Sequence, residues 1–114
     1  MGGEWLVNPF ELYVTYISWG SDGKHRPVLV IQIDNEEVSV YPITTQYEKK
    51  SGAIRKQYCI IAEWSKAGLS KQSYIDTGVL LCLPKSVLKG KEPIGKLTSK
   101  DKVRLLEFLY NKNY

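Results

Sequence analysis

A group of ionisable side chains stands directly before an apolar run. Lys24, His25 and Arg26 precede Pro27, and residues 28–34 continue as VLVIQID. A short run rich in β-branched residues, with proline at its start, predicts a buried strand. A guanidinium at the mouth of such a strand is either a clamp for a phosphate or an ordinary surface ion-pair partner. His25 is either a general acid or base near neutral pH or an exposed loop histidine.

Hydroxyl and carboxyl groups stand beside two other predicted strands. Thr44 and Thr45 end the third strand, where their hydroxyls either meet a phosphate oxygen or cap a turn. Asp76 comes just before a predicted buried strand and is either a general base or a strand-end cap. The sequence contains no glycine-rich phosphate loop and no Ser-His-Asp order.

The segment at residues 44–56 interrupts the strand pattern and predicts a long basic loop. Its basic side chains are Lys49, Lys50, Arg55 and Lys56. Such a run is typical of a solvated face, or of an electrostatic funnel that follows the phosphates of RNA. Tyr47 or Trp19 would stack on bases in the second case.

Composition indicates an ordinary globular chain and predicts a single domain over residues 1–114. Of the 114 residues, 43% are hydrophobic and 25% charged, and the formal net charge is +4 with a pI near 9.0. This excess slightly favours an acidic partner. No stretch approaches the roughly 18 apolar residues of a membrane span, and we expect a cytoplasmic protein.

With only two cysteines and one histidine, the sequence limits the metal and redox chemistry that is possible. Cys59 and Cys82 each lie within an apolar run and are expected to be reduced core thiols. Together with His25 they lack the spacing of a zinc site. We therefore expect neither a metal nor a cofactor.

Alternation of apolar residues predicts a series of short strands. The predicted strands cover residues 12–19, 26–34, 38–43, 58–61 and 78–83. Residues 20–24 are predicted as a turn or mobile loop, 35–37 as a tight turn, 62–73 as irregular and 84–88 as a single turn.

The C-terminal segment predicts a helix. Thr98 is the expected N-cap, Asp101 approximates a capping box, and the helix should run to about residue 111. Its predicted apolar face consists of Val103, Leu105, Leu106, Phe108 and Leu109. Several short strands and one closing helix indicate a curled antiparallel sheet, a partly open small barrel that is mostly β.

Four segments in this order give the chain a resemblance to a known family. They are residues 23–32 (GKHRPVLVIQ), 42–45 (PITT), 73–77 (SYIDT) and 94–98 (IGKLT) before the final helix. The chain resembles the MazF/PemK (Kid) family of toxin–antitoxin ribonucleases over nearly its whole length. The resemblance implies an SH3-like small barrel and a homodimer. It also implies metal-independent cleavage of single-stranded RNA, and an antitoxin whose disordered tail lies across the RNA-binding groove.

The resemblance also implies roles for individual residues. Arg26 matches the arginine that contacts the scissile phosphate, and Thr44 matches the threonine that supports it. Asp76 lies near an acidic position that serves as base in one branch of the family, although the match needs a gap there. The residues predicted to bind RNA are Lys24, Thr45, Gln46, Lys49, Lys50, Arg55 and Lys56. The loop at residues 20–24 is shorter than in many members and has Ser21 and Asp22 where they have Glu-Gln.

These residues permit one consistent reaction and leave two other functions open. The RNA 2′-hydroxyl would attack the adjacent phosphorus, with Arg26 and Thr44 donating to the phosphate oxygens and Asp76 or His25 accepting the 2′-proton. One alternative is a gyrase poison of the same fold, which the C-terminal residues 110–114 (YNKNY) disfavour because such poisons end in Trp-Gly-Ile. The other is a non-catalytic nucleic-acid-binding barrel, such as a decayed toxin.

Overall fold

The chain folds into a curved antiparallel sheet with a C-terminal helix. The structure is a computed structural model and describes residues 6–112, except the side chain of Trp19. The strands in this range are β1 (Glu11–Trp19), β2 (Asp22–Ile33), β3 (Glu37–Thr44), β4 (Tyr58–Ile61), β5 (Ser73–Asp76), β6 (Leu81–Pro84) and β7 (Gly95–Lys96). The α-helices are α1 (Gly52–Arg55) and α2 (Ser99–Lys112), and short 3-10 helices cover Tyr47–Lys49 and Lys85–Leu88. Within the described residues, no helix has the length and apolarity that a membrane span requires.

Strand β3 is the centre of the sheet. The strand order is β4-β5-β3-β2-β1-β7, and β6 also pairs with β3. One edge of β3 pairs with β2, while its other edge pairs first with β6 and then with β5. The register between β2 and β3 shifts between Val30 and Gln32, an irregularity of the kind that bends a sheet. The predicted fold, a mostly β curled antiparallel sheet with a C-terminal helix, is therefore confirmed.

Each face of the sheet has its own core, because successive side chains of a strand point to opposite faces. One core contains Tyr13, Val28, Val30, Val38 and Val40. The other contains Leu12, Leu29, Ile43, Ile75 and Leu105, the last of which belongs to α2. Strand β2 contributes to both cores, as its nearly continuous apolar run predicted.

The connection between β1 and β2 is much shorter than predicted. Trp19 pairs with Asp22, so only Gly20 and Ser21 form the turn, and residues 22–24 belong to β2. Gly20 has a φ of +58°, which glycine adopts without steric cost. The predicted turn is confirmed but is confined to Gly20 and Ser21. The strand predicted to begin at Arg26 begins at Asp22, so the placement of Arg26 at a strand mouth was wrong: Arg26 lies within β2 and pairs with Thr15.

The segments around the predicted site are more regular than their sequence indicated. Residues 44–56 include a 3-10 turn and α1, whose N-cap Ser51 accepts a hydrogen bond from the Ile54 amide at 3.4 Å. Strand β5 was not predicted: residue 73 was assigned to an irregular segment and Asp76 to the residues just before a strand. In the structure β5 pairs with both β3 and β4. The strand predicted at residues 78–83 begins at Leu81, and the apolar residues Val79 and Leu80 before it are exposed.

Helix α2 begins where it was predicted to begin. The Thr98 hydroxyl accepts a hydrogen bond from the Asp101 amide at 3.3 Å, which confirms the N-cap. Asp101 does not complete a capping box, because its carboxylate is buried and accepts hydrogen bonds from the amides of Ala62 and Glu63 at 3.0 and 2.8 Å. Of the predicted apolar face, Val103 and Leu106 are about half exposed, at 54% and 52%.

The two cysteines occupy different environments. Cys59 is buried in the core, as predicted. Cys82 is exposed, so its assignment as a core thiol was wrong. Alternate residues of β6 point away from the core, and Cys82 lies on that outer side between the half-buried Leu81 and Leu83.

We predict that the two thiols differ in reactivity and in their effect on stability. Cys82 should react with a thiol reagent in the folded protein at neutral pH, whereas Cys59 should react only on unfolding. Burial raises the pKa of Cys59 from 9.0 to about 11. The contribution of the buried Cys59 thiol to the free energy of unfolding is therefore fully present below pH 9 and is lost as the pH rises towards 11. Urea unfolding of the wild type and Cys59→Ala across this range tests the difference; equal pH slopes would contradict it.

Candidate functional site

Arg26 and Thr44 lie on the same face of the sheet. Val28 pairs with Pro42 across β2 and β3, and the alternation of side chains places Arg26 and Thr44 on the face that these two share. Both residues line a groove of about 540 Å³. They also line an adjoining hollow of about 280 Å³. The predicted pair therefore lines one groove, in which Arg26 is half-buried and Thr44 is buried.

The polar groups of this pair are suited to binding an anion. Arg26 is half-buried, and its Nε, which is buried, has no hydrogen-bond partner among the described residues. Thr44 Oγ1 accepts a hydrogen bond from the Gln46 amide at 3.0 Å, which leaves the hydroxyl proton to be donated. Two donors that converge on one groove provide the geometry that stabilises charge on a phosphate.

Asp76 and Tyr58 are two further polar residues of the larger groove. They are direct partners across β4 and β5, and both line the groove with Arg26 and Thr44. Asp76 Oδ1 accepts a hydrogen bond from the Gly78 amide at 3.0 Å. Burial raises the pKa of Tyr58, and the Asp76 carboxylate raises it further, while Arg26 acts in the opposite direction. Tyr58 therefore keeps its proton at neutral pH and remains a hydrogen-bond donor.

Tyr58 was not identified as a functional residue from the sequence. It lies in a predicted strand, but its position in the groove depends on pairing with β5, which was not predicted. A tyrosine at the start of a short strand gives no local signal of this role. The alternation of polar and apolar residues in SYID at 73–76 was the available sign of the missing strand.

His25 lies on the other face of β2. It pairs with Tyr16 of β1, and the two rings meet edge to face with their centroids 5.3 Å apart. His25 lines the smaller hollow together with Arg26 and Thr44, but the larger groove is lined by Asp76. The two candidate bases therefore line different hollows, and Arg26 and Thr44 line both of these hollows.

The residues predicted to bind RNA divide into two groups. Lys24 and Gln46 line both hollows, Thr45 lines the smaller one and Lys50 the larger. The remaining residues of the prediction are Lys49, Arg55 and Lys56. Lys49 and Lys56 are exposed, in the 3-10 turn and at the end of α1. The Trp19 side chain, predicted as a stacking residue, lies outside the described part of the structure.

The guanidinium of Arg55 is held by hydrogen bonds to the backbone and by a contact with an aromatic ring. Its Nε and Nη2 donate to the carbonyl oxygens of Tyr47 and Glu48 at 3.0 and 2.9 Å. Its guanidinium carbon lies 5.0 Å from the centroid of the Tyr47 ring. These contacts fix the turn at residues 47–49.

Within residues 6–112, no group of three or more His, Cys, Asp or Glu side chains is placed to hold a metal ion.

We predict opposite effects on stability for two arginine substitutions. Arg26→Met should leave the free energy of unfolding unchanged or raise it by up to about 1 kcal/mol, because it removes a buried donor that has no partner. Arg55→Met removes the same charge but leaves two carbonyl groups without their donor, and should cost about 1–2 kcal/mol. Urea unfolding measures both values. A larger loss for Arg26→Met than for Arg55→Met would show that Arg26 serves the fold.

Comparison with solved structures identifies the fold. The Mycobacterium tuberculosis toxin MazF-mt6 is similar to this chain, with a TM-score of 0.64 and 20% sequence identity over 89% of this chain and 93% of that one. No protein-family model and no curated protein sequence matches the chain. At this level of identity the similarity establishes the fold, and it agrees with the resemblance that the sequence motifs suggest. The chain has the fold of the MazF toxins.

Proposed function

We propose that the protein is a toxin that cleaves single-stranded RNA without a metal ion. The observation that supports this proposal most directly is the groove that holds Arg26, Thr44, Tyr58 and Asp76 together. It combines donors for a phosphate with a carboxylate, on a fold shared with a MazF toxin. The groove is open at the surface, so an extended strand has access to these groups.

The proposed reaction uses the 2′-hydroxyl of the RNA as the nucleophile. Its oxygen attacks the neighbouring phosphorus, the bond to the 5′-oxygen of the next nucleotide breaks, and a 2′,3′-cyclic phosphate forms. Arg26 and the Thr44 hydroxyl donate to the phosphate oxygens, where negative charge increases in the transition state. A donor of this kind is usually worth about 3–4 kcal/mol.

We propose Asp76 as the general base, because it lies in the same groove as the phosphate donors. Its carboxylate would accept the 2′-proton as the new bond to phosphorus forms. Tyr58 is paired with Asp76 and remains protonated, so its hydroxyl is the candidate donor to the departing 5′-oxygen. His25 is placed on the other face of β2 and is not needed in this scheme.

Single-stranded RNA suits the surroundings of the groove. Lys24 and Lys50 contribute positive charge to its lining, which would attract the phosphates on either side of the cleaved linkage. Gln46 provides an amide that can hydrogen-bond to a base. The resemblance to the MazF/PemK family adds two further expectations, a homodimer and a cognate antitoxin protein that covers the groove.

We predict that Arg26→Ala lowers RNA cleavage by about 10²–10³-fold without unfolding the protein, because it removes a donor to the phosphate. The assay incubates a long single-stranded RNA with the purified protein in a chelator and maps the new ends. Lys89→Ala is the matched control, since it removes one positive charge from an exposed side chain that lines a separate hollow with Asn35 and Pro84.

The outcome separates the proposed enzyme from a binding protein. Cyclic-phosphate ends with the wild type and Lys89→Ala, and few with Arg26→Ala, would support the proposal. An intact RNA that the wild type still binds would favour the non-catalytic barrel. Full activity in a folded Arg26→Ala protein would rule out the role of this residue.

Two substitutions distinguish the candidate bases. Asp76→Asn keeps the size of the side chain but removes its basicity, and we expect it to reduce cleavage by about 10²–10⁴-fold. His25→Gln should change the rate only a few-fold, because His25 lies outside the larger groove. Single-turnover cleavage rates of both variants decide the assignment, and the reverse order of effects would assign the base to His25.

A further inference from the structure

Three tyrosines form an aromatic cluster beside the proposed catalytic groove. The rings of Tyr47 and Tyr74 are stacked, with centroids 4.5 Å apart and planes inclined by 18°. The Tyr58 ring lies 6.2 Å from Tyr47 and 6.4 Å from Tyr74. Tyr47 and Tyr74 are only half-buried, so part of the aromatic surface is accessible. We call this group the tyrosine cluster.

The tyrosine cluster lines a hollow of about 440 Å³. This volume falls within the range of about 300–1,000 Å³ that is typical of small-molecule sites. Phe108 of α2 contributes another aromatic ring to the wall, and Arg104 contributes a guanidinium. A hollow walled by flat aromatic rings and one cation suits a planar base attached to a phosphate.

The cation of this hollow is held in place by a buried carboxylate. Arg104 Nε donates to Asp101 Oδ1 at 3.2 Å, and Asp101 is itself fixed by the amides of Ala62 and Glu63. The Arg104 side chain is 46% exposed. Its terminal N–H groups form no hydrogen bond within residues 6–112, so they are available to a ligand.

Tyr58 joins this hollow to the catalytic groove, because it lines both. The register of β4 and β5 places Tyr58 opposite Asp76 and Ile60 opposite Tyr74. Asp76 and Tyr74 therefore lie two residues apart on the same face of β5. A strand of RNA that presents a linkage to Arg26 would bring an adjacent nucleotide to the tyrosine cluster.

We propose that the tyrosine cluster is a subsite for a nucleobase of single-stranded RNA, next to the linkage that Arg26 contacts. Tyr74 supplies the stacking surface, and Arg104 contacts a phosphate of the same strand. The inference rests on the proposed function for the identity of the ligand as RNA. Stacking of a base on an aromatic side chain is worth about 1–3 kcal/mol and tolerates any base.

A binding assay tests this subsite without requiring cleavage. The probes are a fluorescent 2′-O-methyl oligouridylate and an abasic oligomer of the same length and charge, both of which lack the 2′-hydroxyl. The wild type should bind the uridylate roughly tenfold more tightly than the abasic oligomer, as one stacked base predicts. Tyr74→Leu should remove most of this preference, whereas Tyr74→Phe, which keeps the ring, should retain it.

Each result has a definite meaning. Equal affinity of the wild type for the two oligomers would overturn the proposal. A preserved preference in a folded Tyr74→Leu protein would also overturn it. If that variant fails to fold, Tyr74→Val, whose side chain suits a strand, takes its place with the same expectation. A retained base preference in a wild type that leaves RNA uncut would refute the nuclease and keep the subsite.

Discussion

The position of β3 between β2 and β5 is the constraint on which the candidate site depends. Its register with β2 puts Arg26 and Thr44 on one face, and its pairing of Thr44 with Tyr74 continues that face onto β5. Asp76 follows two residues along β5 and therefore projects on the same side. A register slip of one residue in either pairing would move the affected groups to the opposite face.

Asp101, Arg55 and Arg26 differ in whether other groups of the protein satisfy their hydrogen-bonding capacity. Asp101 is buried and accepts hydrogen bonds from two backbone amides and from Arg104. Arg55 donates to two carbonyl groups. Arg26, by contrast, has a buried Nε with no hydrogen-bond partner among the described residues. The first two groups stabilise the fold, whereas the unpaired Nε of Arg26 is the basis for proposing it as a donor to a ligand.

The sequence predicted the parts of the site that depend on local pattern. The apolar run predicted a strand that carries Arg26, and the end of β3 predicted the position of Thr44; Arg26, however, lies within β2 and not at its mouth. The rest depended on pairing between distant segments. Strand β5 has only four residues and alternates polar with apolar, whereas the neighbouring residues 78–83 are more hydrophobic and show the stronger strand pattern. Without β5, the pairing of Tyr58 with Asp76 was not predictable.

The two-residue turn between β1 and β2 has a kinetic consequence for any ligand of the groove. With only Gly20 and Ser21 in this connection, the hairpin supplies no long flap that must swing aside before a ligand enters. For an anionic ligand, association would then depend on the field of Lys24 and Lys50 in the groove lining, and its rate would fall as ionic strength rises. Selectivity between ligands would consequently depend on their dissociation rates.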